Sequence, residues 1–288
     1  MRYEEYYGLA ETPFGLTPDP RFHFASVAHA NAVESIGYAV RRGDRLITVT
    51  GDGGTGKTTL CRRLPECLGR EVLIALVPDP VQSEEELLRH LLQEFGIVSH
   101  ESAVKGRMGS IGTRTLSGTL RAFLLSLGSI GARALAIIDD AQNAPPWVLE
   151  VLGQLSTADG GDRGLQVLLV GQPGLRETMQ SPELRPLDQP ISMRHDLKPL
   201  SRQETAGYIT HRLATAGGSS AVSFSAGAIA RVYGCTRGVP RLVNLLCDRA
   251  LVAACADQAA RVLSGHVDRA AEALDLARPN RLLLAWAR

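Results

Sequence analysis

Hydrophobic positions follow two rhythms along this chain. Short apolar runs bounded by glycine, proline or charge predict strands: "RLITVTG" (45–51), "EVLIALVP" (71–78), "ALAIID" (134–139), "LQVLLVG" (165–171), and a fifth within "ISMRHDLKPL" (191–200). Between them the apolar positions recur at helical spacing. A helix opens at Lys57, and "SEEELLRHLLQEFG" carries the capping box Ser83-x-x-Glu86 and closes on Gly96. "TLRAFLLSL" and "PPWVLEVLGQL" are further helices, while residues 98–113, rich in Ser and Gly, read as a loop. Strands alternating with helices predict a parallel α/β sheet. After Leu200 the strand signal fades. "SRQETAGYITHRLATAGG", with a second capping box Ser201-x-x-Glu204, then "SAGAIARVYG", "VPRLVNLLCDRALVAACA" and "SGHVDRAAEALDLA" all have helical spacing. The expected division is an α/β domain over 1–200 and an all-α domain over 201–288.

Composition narrows the classes. The 288 residues suffice for one large or two smaller domains. Thirty-one Lys and Arg against 30 Asp and Glu give no pull toward a polyanionic partner, and 44% hydrophobic residues fit a soluble globular protein. Cysteines 61, 67, 235, 247 and 255 form no CxxC pair and no Cys/His metal spacing, so free thiols in a reducing cytoplasm are expected. No segment approaches the roughly 20 apolar residues that span a bilayer. The start, "MRYEEYYGLAETPF", is too acidic and polar for a signal peptide, and "LLLAWAR" at the end is too short to cross a membrane. The expected location is the cytoplasm, or the inner-membrane surface through a partner.

The chemistry is concentrated in a few motifs. "GDGGTGKT" (51–58) matches G-x-x-x-x-G-K-[ST] between a strand and a helix, the context in which that pattern binds phosphate. Gly51, Gly53, Gly54 and Gly56, with Asp52 and Thr55, let backbone N–H groups wrap phosphate oxygens. Lys57 is placed to reach the β- and γ-phosphates, and Thr58, followed by Thr59, to ligate Mg²⁺ at a helix N-terminus. Asp139 ends a strand downstream and would hold Mg²⁺, while Asp140 would orient or deprotonate the attacking water. Gln172, just after the fourth strand, either contacts the γ-phosphate or lytic water, or simply forms the turn before Pro173. Arg241 follows Pro240 in the first turn of a helix, from which an arginine can reach phosphate.

These residues resemble one family. "YYGLAETPFGLTPDPRF", "GDGGTGKTTL", "AIIDDAQN", "VLLVGQPGL" and "RGVPRLVNLLCDRAL" follow the order seen in the ExeA-like AAA+ ATPases, from about Tyr3 to Ala253. That family includes the A-component ATPase of general secretion pathways and relatives from MSHA-type pilus biogenesis and exosortase-linked polysaccharide loci. The resemblance implies a P-loop NTPase with sheet order 5-1-4-3-2 and a helical lid. ATP and Mg²⁺ are the implied ligands, a homo-oligomer the implied assembly, and an envelope-machinery protein the implied partner. It makes Arg241 the sensor-2 arginine and brings "TPDPRF" near the nucleotide base, against simple core packing for Phe14 and Phe22.

Three departures from the family pattern matter. The usual Walker B Glu is Asp140, which points to slow hydrolysis. "QPI" replaces "QRI" before the fifth strand, so Pro190 stands where an arginine is common; Arg185 and Arg194 remain as trans-acting fingers. The chain also ends at Arg288 without the membrane span and peptidoglycan-binding domain of the secretion ATPase, which points to the short soluble relatives. Two alternatives stay open. From Ser102 to Ile138 the charges are all basic (Lys105, Arg107, Arg114, Arg121, Arg133), which suits a DNA-associated transposition-type regulator or a solvated face. Asp140 and Pro190 also suit a nucleotide-binding scaffold that does not hydrolyse.

Overall fold

The computed structural model describes residues 2–17, 19–77, 81–98, 112–157, 164–180, 191–217 and 222–276. In chain order the elements begin with α1 (Tyr3–Tyr7), a 3-10 turn (Pro20–Phe22), α2 (Val27–Arg42), β1 (Leu46–Thr50), α3 (Lys57–Cys67), β2 (Val72–Val77), α4 (Glu84–Glu94) and α5 (Thr113–Ser129). They continue with β3 (Arg133–Ile138), a second 3-10 turn (Ala141–Asn143), α6 (Pro146–Thr157), β4 (Gln166–Gly171), α7 (Leu175–Met179), β5 (Ile191–Asp196) and α8 (Arg202–Thr215). The last are β6 (Ser223–Phe224), α9 (Ala226–Thr236), α10 (Pro240–Ala256), β7 (Arg261–Val262) and α11 (Ser264–Ala273).

The chain packs as two units, one of residues 29–51 and 57–197, the other of 1–28, 52–56 and 198–288. The first holds a five-stranded sheet in the order β2-β3-β4-β1-β5, every pair parallel. This is the expected 5-1-4-3-2 order. The central strands are buried along their whole length, since parallel strands must be covered on both faces. On one face Ala134, Ala136, Ile138, Val167 and Leu169 pack against Leu87, Leu88, Leu91 and Leu92 of α4, Leu116, Leu120 and Leu124 of α5, and Val148 and Leu152 of α6. The alternate residues Leu135, Ile137, Leu168 and Val170 point to the other face by the period of a strand and are equally buried. β5 is an edge, its residues alternating between half-buried and exposed.

The second unit has its own core of Leu213, Val232, Val243, Leu246, Cys247, Leu251 and Val267. Tyr3, Tyr7, Phe14 and Phe22 join it, so the N-terminal segment groups with the helices and not with residues 29–197 as the expected 1–200 division has it. Buried Arg212 fastens that segment: its guanidinium donates to the carbonyls of Pro13 and Gly15 and to the Tyr208 hydroxyl, and stacks 4.7 Å from the Phe22 ring centroid. The unit is not purely helical. β6 and β7 form a two-residue parallel pair, Ser223 opposite Arg261 and Phe224 opposite Val262, which short polar-apolar pairs in the sequence do not announce.

Other expectations shift by two turns or less. The fifth strand stops at Asp196, before Pro199. α5 begins at Thr113, earlier than "TLRAFLLSL", because Leu116 extends its apolar stripe by one turn. Ser83 caps α4 through the Glu86 N–H, but Glu86 accepts from the Gln82 N–H and not from that of Ser83, whereas Ser201 and Glu204 form the full reciprocal box. Helices α1, α2 and α7 were not expected. In α2 the signal was present, since Ala32, Ile36, Ala39 and Val40 recur at helical spacing and are fully buried.

Candidate nucleotide-binding site

Lys57, Thr58, Asp139, Asp140 and Gln172 come together at the carboxyl ends of the central strands β1, β3 and β4, the end where parallel sheets bind ligands. The β1–β4 ladder continues past the strand, the Gly51 N–H donating to the Gly171 carbonyl at 3.1 Å. Lys57 is buried and its ammonium donates to the Gly51 carbonyl at 2.9 Å. The bond satisfies the buried ammonium within its own loop. Thr58 Oγ1 donates to Asp139 Oδ2 at 2.5 Å. This hydroxyl–carboxylate pair supplies the hard oxygen donors that Mg²⁺ prefers. Thr59 is half-buried in the same helical turn.

Residues 52–56 of the loop pack with the helical unit. Gly54 and Gly56 have φ of +81° and +97°, a backbone that glycine adopts without strain. Thr55 turns back on Asp52, its N–H and hydroxyl both donating to the Asp52 carbonyl at 3.3 and 2.9 Å. The Arg241 N–H, in the first turn of α10, donates to the Gly54 carbonyl at 3.3 Å, and a β-carbon at Gly54 would lie 2.7 Å from Arg241 Cβ. Pro240 occupies the first helical position, as expected.

Asp140 is exposed and left-handed, with φ 49° and ψ 39°, a conformation tolerated by aspartate better than by most residues. Its own N–H donates to Asp139 Oδ1 at 3.0 Å. Gln142 Nε2 donates to Asp140 Oδ1 at 3.2 Å. Gln172 enters through its backbone, its N–H donating to Gln142 Oε1 at 2.9 Å. Gln142 is the residue that reading the sequence missed; its place in "DDAQN", two residues after Asp140, was the available signal. Cys61, buried in α3, has its thiol pushed up by burial and by the nearby Asp139 carboxylate, which keeps it protonated and inert.

The remaining expectations scatter. Arg194 sits on edge strand β5, opposite Thr48 of β1, and is exposed. Arg185 and Pro190 lie outside the described residues, as do Lys105 and Arg107. Arg114 and Arg121 are exposed on α5, while Arg133 donates to the Arg41 carbonyl at 2.8 Å. Phe14 meets Phe224 edge-on at 6.2 Å, and Phe22 lies under Arg212; both are core residues of the helical unit.

Comparison with known proteins fits this geometry. Residues 40–179 match a family model described as an AAA domain. General secretion pathway protein A of Aeromonas hydrophila is 35% identical over 270 residues, covering 93% of this chain and 48% of that protein. Over most of its length the chain is similar in sequence to that general secretion pathway protein. It spans about half the length of that relative. Among solved structures, the Aeropyrum pernix ORC2 protein superposes with TM-score 0.65 at 16% identity, covering 91% of this chain and 71% of the other. Cdc6p from Pyrobaculum aerophilum gives 0.63 at 14% identity, covering 91% and 70%, and the Thermotoga maritima RuvB branch migration motor 0.55 at 18%, covering 90% and 76%. At these identities they establish the fold, an AAA+ P-loop NTPase with a parallel central sheet and helical lid. Among the described residues no helix is long and apolar enough to cross a membrane.

Proposed function

We propose that this chain binds ATP with Mg²⁺ and hydrolyses it slowly, in an assembly of like subunits, to drive or time construction of a bacterial secretion, pilus or polysaccharide-export system. The observation that carries the reading is the 2.5 Å pair of Thr58 and Asp139 beside buried Lys57. Thr58 and Asp139 would hold the metal, which when bound neutralises phosphate charge. The glycine-rich loop gives its N–H groups to phosphate oxygens, and Lys57 exchanges the Gly51 carbonyl for them. Arg241 is proposed as the lid's sensor of the γ-phosphate, supported by its N–H bond to the loop at Gly54. Asp140 is proposed to take the proton of the attacking water. Arg185 and Arg194 are the proposed trans-acting fingers, and "TPDPRF" the segment near the base. The name of the Aeromonas relative supports the envelope assignment.

The aspartate at 140 sets the expected rate. Its carboxylate reaches about 1.5 Å less than a glutamate's. A misplacement of roughly 1 Å can cost on the order of 10²-fold, or about 2.7 kcal/mol. Asp140→Asn is expected to cut turnover further while ATP affinity, measured by calorimetry, holds; Asp140→Glu is expected to raise it. Lys57→Ala is expected to abolish tight binding of ATP-Mg²⁺. An unchanged rate in Asp140→Asn would remove Asp140 from catalysis and favour a scaffold that does not hydrolyse.

A further inference from the structure

The side chain of Gln142 joins two strand ends through one planar amide. Its Nε2 donates to Asp140 Oδ1 at 3.2 Å, beyond the end of β3, and its Oε1 accepts from the Gln172 N–H at 2.9 Å, beyond the end of β4. The orientation of the amide follows from its partners: a backbone N–H can only donate and a carboxylate can only accept, so oxygen faces Gln172 and nitrogen faces Asp140. The strand end is shaped for this amide. A β-carbon at Gly171 would lie 2.5 Å from Gln142 Oε1, so the bridge needs glycine there.

We propose that Gln142 is a positioning residue for hydrolysis: it fixes the rotation of the Asp140 carboxylate and ties it to the β4 end. This rests on the reading of Asp140 as the group that takes the water's proton. An exposed aspartate turns about two torsions, and the left-handed backbone at 140 fixes neither of them. One N–H bond to Oδ1 stops that rotation and leaves Oδ2 for water. A carboxylate that is short by one methylene depends more on fixed aim than a longer one, because it has less reach with which to correct an error. The link also means that any displacement of the β4 end near Gln172 moves the carboxylate with it.

Three substitutions separate positioning from packing. Gln142→Glu keeps an oxygen for the Gln172 N–H but sets a second carboxylate against Asp140. Gln142→Ala removes both bonds. Gly171→Ala leaves all three polar residues in the chain and displaces the amide, the far end of a flexible side chain; the added β-carbon also lies 3.1 and 3.3 Å from Cδ2 and Cβ of buried Leu175, so the variant's melting temperature is measured alongside to separate packing from aim. The expected result is a fall in kcat of roughly 10-fold or more in all three, in line with the cost of misplacing a catalytic group, with ATP affinity within about 2-fold of the parent. A readout without nucleotide accompanies it. Hydrogen exchange at the Gln172 amide should speed up in Gln142→Ala and stay protected in Gln142→Glu. A parental kcat in Gln142→Glu would reduce Gln142 to an acceptor for the strand end, and unchanged exchange in Gln142→Ala would deny the bond itself; either overturns the proposal. Asp140→Asn is run in parallel. If its rate falls while that of Gln142→Glu does not, the positioning role alone fails; if its rate is unchanged, the reading of Asp140 fails and takes this proposal with it.

Discussion

Gly54→Ala puts the contact between the phosphate loop and α10 to a quantitative test. Two costs follow from the structure. Gly54 has φ +81°, where an added β-carbon meets its own carbonyl oxygen, at about 1–2 kcal/mol. The added carbon would also lie 2.7 Å from Arg241 Cβ and 3.3 Å from Val239 Cγ1. Arg241 Cβ is anchored to the helix start and cannot swing aside, so α10 must shift or the site stay overpacked, at about 1–3 kcal/mol. The sum, about 2–5 kcal/mol, corresponds to a melting temperature lower by roughly 4–20 °C at about 2–4 °C per kcal/mol. The assay is thermal unfolding of a double-mutant cycle with Arg241→Gly. Removing the arginine's β-carbon relieves the clash but not the φ strain, so the Gly54→Ala penalty should shrink by about 1–2 kcal/mol in that background, a coupling expected of residues in contact. An identical penalty in both backgrounds, or a parental melting temperature in Gly54→Ala, would refute the close approach of Arg241 to the loop.

Two further expectations concern the helical unit and the assembly. Arg212→Met leaves the buried Pro13 carbonyl without its guanidinium donor, at about 1–3 kcal/mol, while the half-buried Gly15 carbonyl keeps the Asn244 amide at 3.4 Å; limited proteolysis should then cut within residues 1–28, and parental resistance there would show the arginine to be dispensable. Because a trans-acting arginine is worth roughly 10³–10⁵ in rate, ATPase activity per subunit should climb with protein concentration and fall in Arg194→Ala or Arg185→Ala; a flat profile across the monomer-to-oligomer range would exclude shared sites.

Much of this molecule was legible in the sequence. Where a local rule dictates the outcome, pattern suffices: β-branched runs such as Leu46–Thr50 and Gln166–Gly171 have to be central strands, "GDGGTGKT" has to be a loop that needs left-handed glycines, and Ser201 with Glu204 closes a reciprocal cap within one turn. The strand order too was available, though through family resemblance and not from periodicity. Tertiary structure decided whatever depends on residues distant in sequence. Phe14 and Phe22 read as well for a base pocket as for a core, and only the placement of Arg212, about 190 residues away, buries them with the helices. The two-residue strands β6 and β7 exist because each supplies the other's hydrogen bonds, a pairing that neither stretch encodes alone. Gln142 carries no motif signal stronger than its neighbours'. Its part emerges only when β3 and β4 lie side by side, bringing Gly171 and the Gln172 N–H to its amide across 30 residues of chain. Sequence pattern sets local conformation because backbone sterics and side-chain spacing act within a few residues; the aim of a carboxylate is set by whichever strand ends the folded sheet makes adjacent.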